Sequence, residues 1–322
     1  MDRWITAVGA IVGVPLVLLG YISLGERVLE RMPKRVQESI RPYFWAFPAI
    51  GFATVFMVIP TINTAILSFY NKDSTKFVGW ANYKYFFTFP DTLLSLRNSL
   101  FWLVFYTFFS VALGLIIAIM VDRVKYEAIA KTAIFLPVPI SAVAASIIWK
   151  FMFQYDPAGG TQTGTLNAAI GTVGLQPVAW LTNLSTNNAA LIFVGIWTAV
   201  GFSMVIISAS LKAISSEVLE AARIDGANEF RIIQLIVTPL LWPTITVVGT
   251  TAIVAALKVF DIVYVLTGGA YDTDVIASQM FRQLTSSGHF GRAAAVGVVL
   301  FLAIIPLLVV NIRRFQQQEE MR

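Results

Sequence analysis

Cysteine is absent from this 322-residue chain, and histidine occurs once, at His289. The first absence excludes a disulfide framework, a thiolate nucleophile and any Cys-based metal site. The second removes the His pairs on which many catalytic relays and transition-metal sites depend. Charge is scarce too: Asp, Glu, Lys and Arg make up 13% of the residues, about half of the ~25% usual in a soluble protein. So few charges cannot cover a surface that faces water. Also missing is Gly-x-x-x-x-Gly-Lys-Ser/Thr, the loop that cradles nucleotide phosphates, so the chain does not itself bind ATP in the usual way. What the chain has instead is apolar residues, at 57%, against roughly 45–50% for a soluble domain. Together these features exclude a soluble enzyme, a disordered chain and a secreted disulfide scaffold. A polytopic membrane protein remains.

The apolar residues come in blocks of membrane-crossing length, since about 20 residues of helix span the hydrocarbon. They predict seven spans, at 5–24, 43–69, 99–121, 132–153, 189–211, 244–266 and 293–311. Continuous runs of this kind fit helices, not the short alternations of a barrel. The first block exceeds a signal-peptide core, and no small-residue cleavage pattern follows it, so it is read as a retained helix. Fourteen basic residues fall on one side of the spans, among them Arg27, Arg31, Lys34, Arg35, Arg41, Arg123, Lys125, Lys131, Lys212, Arg223, Arg231, Arg313, Arg314 and Arg322. The other side holds six: Arg3, Lys72, Lys76, Lys84, Arg97 and Arg282. This bias predicts that the richer side is cytoplasmic, with the N-terminus outside and the C-terminus inside. It also accounts for most of the net charge of +5, so nucleic acid is not an expected partner. The basic segment 25–42 is expected to lie along the inner leaflet, and Arg292 to anchor the last span by snorkelling.

Two connections are long. The outer one, 154–188, is rich in Gly, Thr and Asn, with Asp156-Pro157 and Gly159-Gly160 as turn signals. The inner one, 212–242, carries a helical rhythm. Ser215 or Ser216 caps a helix with Glu217 and Glu220 in its first turns, and Asp225-Gly226 ends it. Ala221 and Ala222 leave a smooth face for another protein. A second amphipathic stretch places Phe230, Ile233, Ile236 and Val237 on its apolar side, and Pro239 and Pro243 mark the return to the membrane.

This inner loop resembles the signature of ABC importer permeases: Glu-Ala-Ala, three residues, Gly, nine residues, then Ile-x-Leu-Pro. Here it reads Glu220-Ala221-Ala222, Gly226, Ile236 and Pro239, with Thr238 in place of Leu. Further similarity to carbohydrate permeases of the maltose and glycerol-phosphate branch lies in Gly164-Thr-Leu-Asn167, Trp180-Leu181, the 259–269 stretch and Phe290-Gly291-Arg292-Ala293. The match from Lys258 to the 311–315 run is most like α-glucoside permeases. The resemblance implies an all-α fold: a six-helix permease core over 43–322, preceded by one extra transmembrane helix and a basic linker over 1–42. It implies a sugar importer subunit, not an enzyme, in a bacterial or archaeal cytoplasmic membrane. Implied partners are a second permease, two ATP-binding subunits that hold ATP and Mg, an extracytoplasmic binding protein and the lipid bilayer. The loop at Glu220–Gly226 would seat on an ATPase subunit.

A neutral sugar needs hydroxyl-matching groups and aromatic faces in a cavity at membrane depth. Thr251, Lys258, Asp261 and Tyr264 follow helical spacing, so the first three are expected on one face of one helix. A Lys at membrane depth costs about 2.5–3.5 kcal/mol on insertion scales, so it should face a cavity or a partner. Either a structural Lys258–Asp261 pair or a pair that orients sugar hydroxyls meets that demand. A phosphate on Lys258 would instead favour glycerol phosphate. Trp197, Gly201, Phe202 and Ser203 form a second candidate wall, or else a helix-packing surface. An ion-coupled secondary transporter is the rival reading, but few ionisable residues lie at membrane depth.

Overall fold

The computed structural model describes residues 2–122, 124–157 and 161–320, and side chains within 12–309 except those of residues 14, 18, 307 and 308. Arg123, Gly159, Gly160 and Arg322 lie outside the described residues, as do the side chains of Arg3, Arg313, Arg314 and the rest of the 311–315 run. The protein is all-α, with no strand among the described residues. It forms two compact units, residues 1–63 and residues 64–322.

The first unit holds α1 (Asp2–Glu30) and most of α2 (Lys34–Leu67). The 25–42 segment is the junction of α1 and α2. It consists of two helix ends and the turn between them, because Pro33 starts a new helix at Lys34. The Tyr21 ring stacks on Phe44 at 4.8 Å, and Glu26 pairs with Arg41 across the turn.

In the second unit the spans are longer or more broken than their apolar blocks. The main helices are α3 (Ala81–Thr88), α4 (Pro90–Val121), α5 (Glu127–Phe135), α6 (Ala142–Met152), α7 (Thr165–Thr172) and α8 (Asn187–Leu211). They are followed by α9 (Ser216–Ile224), α10 (Glu229–Leu257), α11 (Asp261–Leu266), α12 (Ile276–Thr285) and α13 (Phe290–Glu320). The predicted span 132–153 is two helices, α5 and α6. Pro137 and Pro139 lack the N–H that would continue α5, and each disfavours helical geometry in the residue before it. Ser141 then restarts the chain, its Oγ accepting the Ala144 N–H at 3.2 Å. The predicted span 244–266 is also two helices, broken at 258–260 with no proline or glycine to mark it.

Pro239 and Pro243 do not begin a new helix. Both sit within the continuous α10. A π turn over Ile233–Val237 precedes Pro239, widening the coil where that residue can donate no hydrogen bond. The same device stands before Pro60 in α2, as a π turn over Thr54–Val58.

At the centre lies α8, packed through small residues that let backbones approach. A Cβ on Gly195 would meet the Trp102 ring at 2.8 Å, and one on Gly114 of α4 would meet Ser203 at 2.5 Å. A Cβ on Gly201 would come within 2.6 Å of the Ile134 carbonyl of α5. Two apolar clusters result, one around Trp102, Trp149, Leu191 and Val263, the other around Met204, Ile207, Ile232 and Leu241. The outward faces of α4 expose Phe101, Phe105, Phe108, Ile116 and Met120, as helices bathed in lipid do.

Candidate functional site

The break in the 244–266 span opens onto a cavity with polar lining. α10 ends at Leu257, and Lys258 caps it with φ −97° and ψ 6°, its N–H shared between the carbonyls of Val254 (3.3 Å) and Ala255 (3.2 Å). Phe260 then swings out at φ −141°, and α11 restarts at Asp261. Lys258 thus stands at the negative end of one helix and Asp261 at the positive end of the next, each where the backbone dipole favours its charge. A cavity of about 210 Å³ opens beside this interruption. Lys258, Asp261 and Phe260 form one wall, Trp102 and Tyr106 of α4 another, and Gly195 and Thr198 of α8 the third. No ion pair joins Lys258 to Asp261 among the described residues, and both are exposed to the cavity and its surroundings. Trp102 is 1% exposed and its Nε1 has no partner. One cation, one carboxylate, two hydroxyls and three aromatic faces converge here.

A second feature lies at the basic end. α9 is capped by Ser215, whose Oγ accepts the Glu217 N–H at 3.2 Å. It closes with Gly226 N–H on the Arg223 carbonyl (3.1 Å) and Ala227 N–H on the Ala222 carbonyl (3.0 Å). That pairing requires a left-handed residue, and Gly226 has φ +83°. Asn228 then caps α10, accepting the Arg231 N–H at 2.9 Å, and Arg223 reaches Glu229 at 2.9 Å. Ala222 faces the chain's own core, buried with Ile232 and Val237, so only Glu220 and Ala221 of the triplet are exposed. Phe230 is likewise not on the buried side: it is 72% exposed, and Ile232 takes the inward position. Ile236 is half-buried in the π turn and Pro239 is exposed.

The foot of α8 adds charge to this end. Lys212 reaches Glu127 at 3.0 Å and Asp122 at 3.3 Å, and Glu127 also binds Lys131. Hydrogen bonds from Lys131 and then Lys212 hold Glu127 below the usual carboxylate range, while Glu127 and then Asp122 raise Lys212 above the usual lysine value.

The profile of the "Binding-protein-dependent transport system inner membrane component" family matches residues 110–318. The osmoprotective compounds uptake permease protein GgtC of Synechocystis sp. is 50% identical over 275 residues, covering 85% of this chain and 99% of the relative. The chain belongs to this permease family. The alpha-glucoside transport system permease protein AglF of Rhizobium meliloti is 41% identical over 280 residues, 87% of this chain and 83% of the relative. The fold also matches the crystal structure of a bacterial ABC transporter involved in import of the acidic polysaccharide alginate. The TM-score is 0.76 at 23% identity, covering 88% of this chain and 99% of that one. The protein is a multi-pass membrane component of an ABC importer, and not an enzyme.

Within the permease, the residues singled out from sequence separate. Lys258 and Asp261 share the cavity, but the break at 258–260 removes the common helix face assumed for Thr251, Lys258 and Asp261. Thr251 is exposed elsewhere on α10, donating to the Val247 carbonyl at 3.0 Å. Tyr264 stacks on Phe260 at 5.2 Å, behind the cavity wall. Gly201 and Ser203 serve packing against α5 and α4, Phe202 is 40% exposed, and Trp197 packs edge-on against Trp149 at 5.6 Å. Trp102, Tyr106 and Thr198 were missed. The only signal for the first two was an aromatic pair four residues apart in an apolar run. Arg292 lies 3.6 Å over the Tyr85 ring. His289 caps α13 through Nδ1 (3.2 Å from Arg292 N), and burial, then the Arg292 charge, lowers its pKa.

The motifs of the 154–188 connection have a mechanical reading in the permease. Asn167 is fully buried and makes four bonds: its amide donates to the carbonyls of Gln154 (2.9 Å) and Val178 (3.0 Å), and its oxygen accepts from Val178 N (2.9 Å) and Trp180 Nε1 (3.1 Å). Gly164 permits this closure, since a Cβ there would lie 2.1 Å from the Gln154 carbonyl.

Proposed function

We propose that this permease is one half of the membrane passage of an ATP-driven importer for a neutral sugar, an α-glucoside such as maltose or trehalose. The observation that carries the reading is the cavity at the α10–α11 interruption. Its charges balance, Lys258 against Asp261, which suits an uncharged ligand. Trp102, Tyr106 and Phe260 offer flat faces for sugar C–H groups, and Thr198 a hydroxyl. The two relatives, permeases for uptake of osmoprotective compounds and of alpha-glucosides, point the same way.

In this reading residues 43–322 form the transport domain and 1–42 an added helix and linker, with the N-terminus outside and the C-terminus cytoplasmic. A second permease completes the passage, and an extracytoplasmic binding protein delivers the sugar. Two further subunits bind ATP and Mg, and the loop around Glu220–Gly226 receives their motion, with Gly226, Ile236 and Pro239 fixing its shape. ATP drives alternation because it binds one conformation of those subunits better than the other.

The test is a thermal-shift screen of the purified complex and its binding protein against sugars and sugar phosphates. Stabilisation by maltose or trehalose is expected. Stabilisation by glycerol phosphate alone would overturn the substrate class and assign Lys258 to a phosphate, and transport driven by an ion gradient without ATP would overturn the importer reading for this chain.

A further inference from the structure

Lys212 occupies a junction that the transport reading does not use. It caps the C-terminus of α8, three residues before Ser215 starts α9. A cation there complements the carbonyl end of α8, and its amine faces two carboxylates, Glu127 at the start of α5 and Asp122 at the end of α4. Glu127 is in turn braced by Lys131 one turn along α5. A single exposed ion pair is worth little, but here one amine gathers three helix ends into a network.

The same two helices touch again at a second level. Gly201 of α8 meets the backbone of Ile134 and Phe135 of α5 at a separation that leaves no room for a Cβ. A helix pinned at two separated levels cannot pivot about either one. Beyond these pins both helices lead to the cavity. α8 supplies Gly195 and Thr198, and α5 passes through the proline turn at 136–141 to α6, whose Ala142 lines the same space.

We infer that Lys212 is a positioning residue that clamps α5 to α8, so that the two move as one body and carry displacement of the α9 loop to two walls of the cavity. The inference rests on the proposed role of that loop. Without the clamp, a push on α9 moves α8 while α5 lags, and the walls change out of step. ATP hydrolysis then proceeds without matching uptake.

The chain has no cysteine, so a pair of introduced ones labels cleanly. With spin labels at Ile129→Cys and Ala213→Cys, both exposed positions, the inter-label distance in the assembled complex should stay constant to within about 2 Å between nucleotide-free and ATP-trapped states, the scale of ordinary helix shifts. A larger change in the otherwise unaltered complex overturns the clamp, whether or not any Lys212 variant assembles. In proteoliposomes, Lys212→Glu should lower uptake per ATP hydrolysed several-fold with hydrolysis retained, and Lys212→Arg should keep the ratio. An unaltered ratio in Lys212→Glu overturns the role of Lys212. Sugar-stimulated hydrolysis absent from the unsubstituted complex would instead overturn the transport reading beneath it.

Discussion

The α9 loop and the α10–α11 interruption both depart from regular helix, and they do so by opposite means. At the loop every departure is closed locally. Ser215, Gly226 and Asn228 satisfy backbone groups within a few residues, and Arg223 meets Glu229 six residues on. At the interruption the backbone opens and is not resealed by neighbours in sequence. Lys258 shares two carbonyls at once, Asp261 finds no ion-pair partner among the described residues, and the walls come from α4 and α8. A surface that must hold one shape for a partner is built from short-range bonds. A space that must change shape around a ligand leaves its polar groups uncommitted, at the low-stability end of the structure.

The largest test of that contrast is Gly226→Val. A β-branched residue at φ +83° costs roughly 1–3 kcal/mol, which shifts the population of the closed turn by up to about a hundredfold. Since nothing lies within 4 Å of a Cβ there, the cost is backbone strain and not a clash, and Gly226→Asn should recover much of the loss. Uptake and ATP hydrolysis should fall together while membrane insertion persists. Full transport by Gly226→Val would sink the rigid-loop account.

A smaller effect is expected at the open site, because its groups are not interlocked. Lys258→Met and Asp261→Asn should each raise the substrate concentration for half-maximal uptake by roughly tenfold, as for loss of a charged hydrogen bond worth about 1.5–3 kcal/mol, without lowering expression. Unchanged transport and unchanged substrate-stimulated hydrolysis would leave both residues outside the passage.

The smallest is a pH dependence at the foot of α8. Glu127 is lowered in the folded state, so its contribution is complete above the ordinary carboxylate range and is lost as pH falls through its depressed value. Lys212 is raised, so its contribution is complete below the ordinary lysine value and is lost as pH rises through its elevated one. The contribution of this pair to the thermal stability of the complex, read as the difference between the intact complex and Lys212→Ala, should be flat between those limits, and Lys212→Ala should soften both edges slightly. A slope across neutral pH that vanishes in Lys212→Ala would contradict the assignment.

The same contrast explains what was readable in advance. The loop follows a spacing rule because its hydrogen bonds connect residues two to six apart, and so Glu220, Gly226 and Pro239 announce it. Burial of Ala222 was not legible, since it depends on how α9 folds back onto Ile232 and Val237 of α10. Apolar blocks located the helices but not their breaks. Prolines at 137 and 139 offered a cue that the apolar run concealed, whereas 258–260 carries no helix-breaking residue at all. Trp102, Tyr106 and Thr198 reach the cavity only through the packing of three helices distant in sequence, which periodicity within one segment cannot express.

The π turn at Ile233–Val237 has a consequence for the geometry of coupling. α10 is one continuous helix of 29 residues, about 43 Å long, with the loop at its start and Lys258 at its end. Each α-helical residue rotates the chain by about 100°, so the angle between the two ends is fixed by the residue count between them. The wider turn absorbs one residue without that rotation. It acts as a phase adjuster in a drive shaft: removing one residue here would return the turn to α-helix and still present Lys258 to the same side.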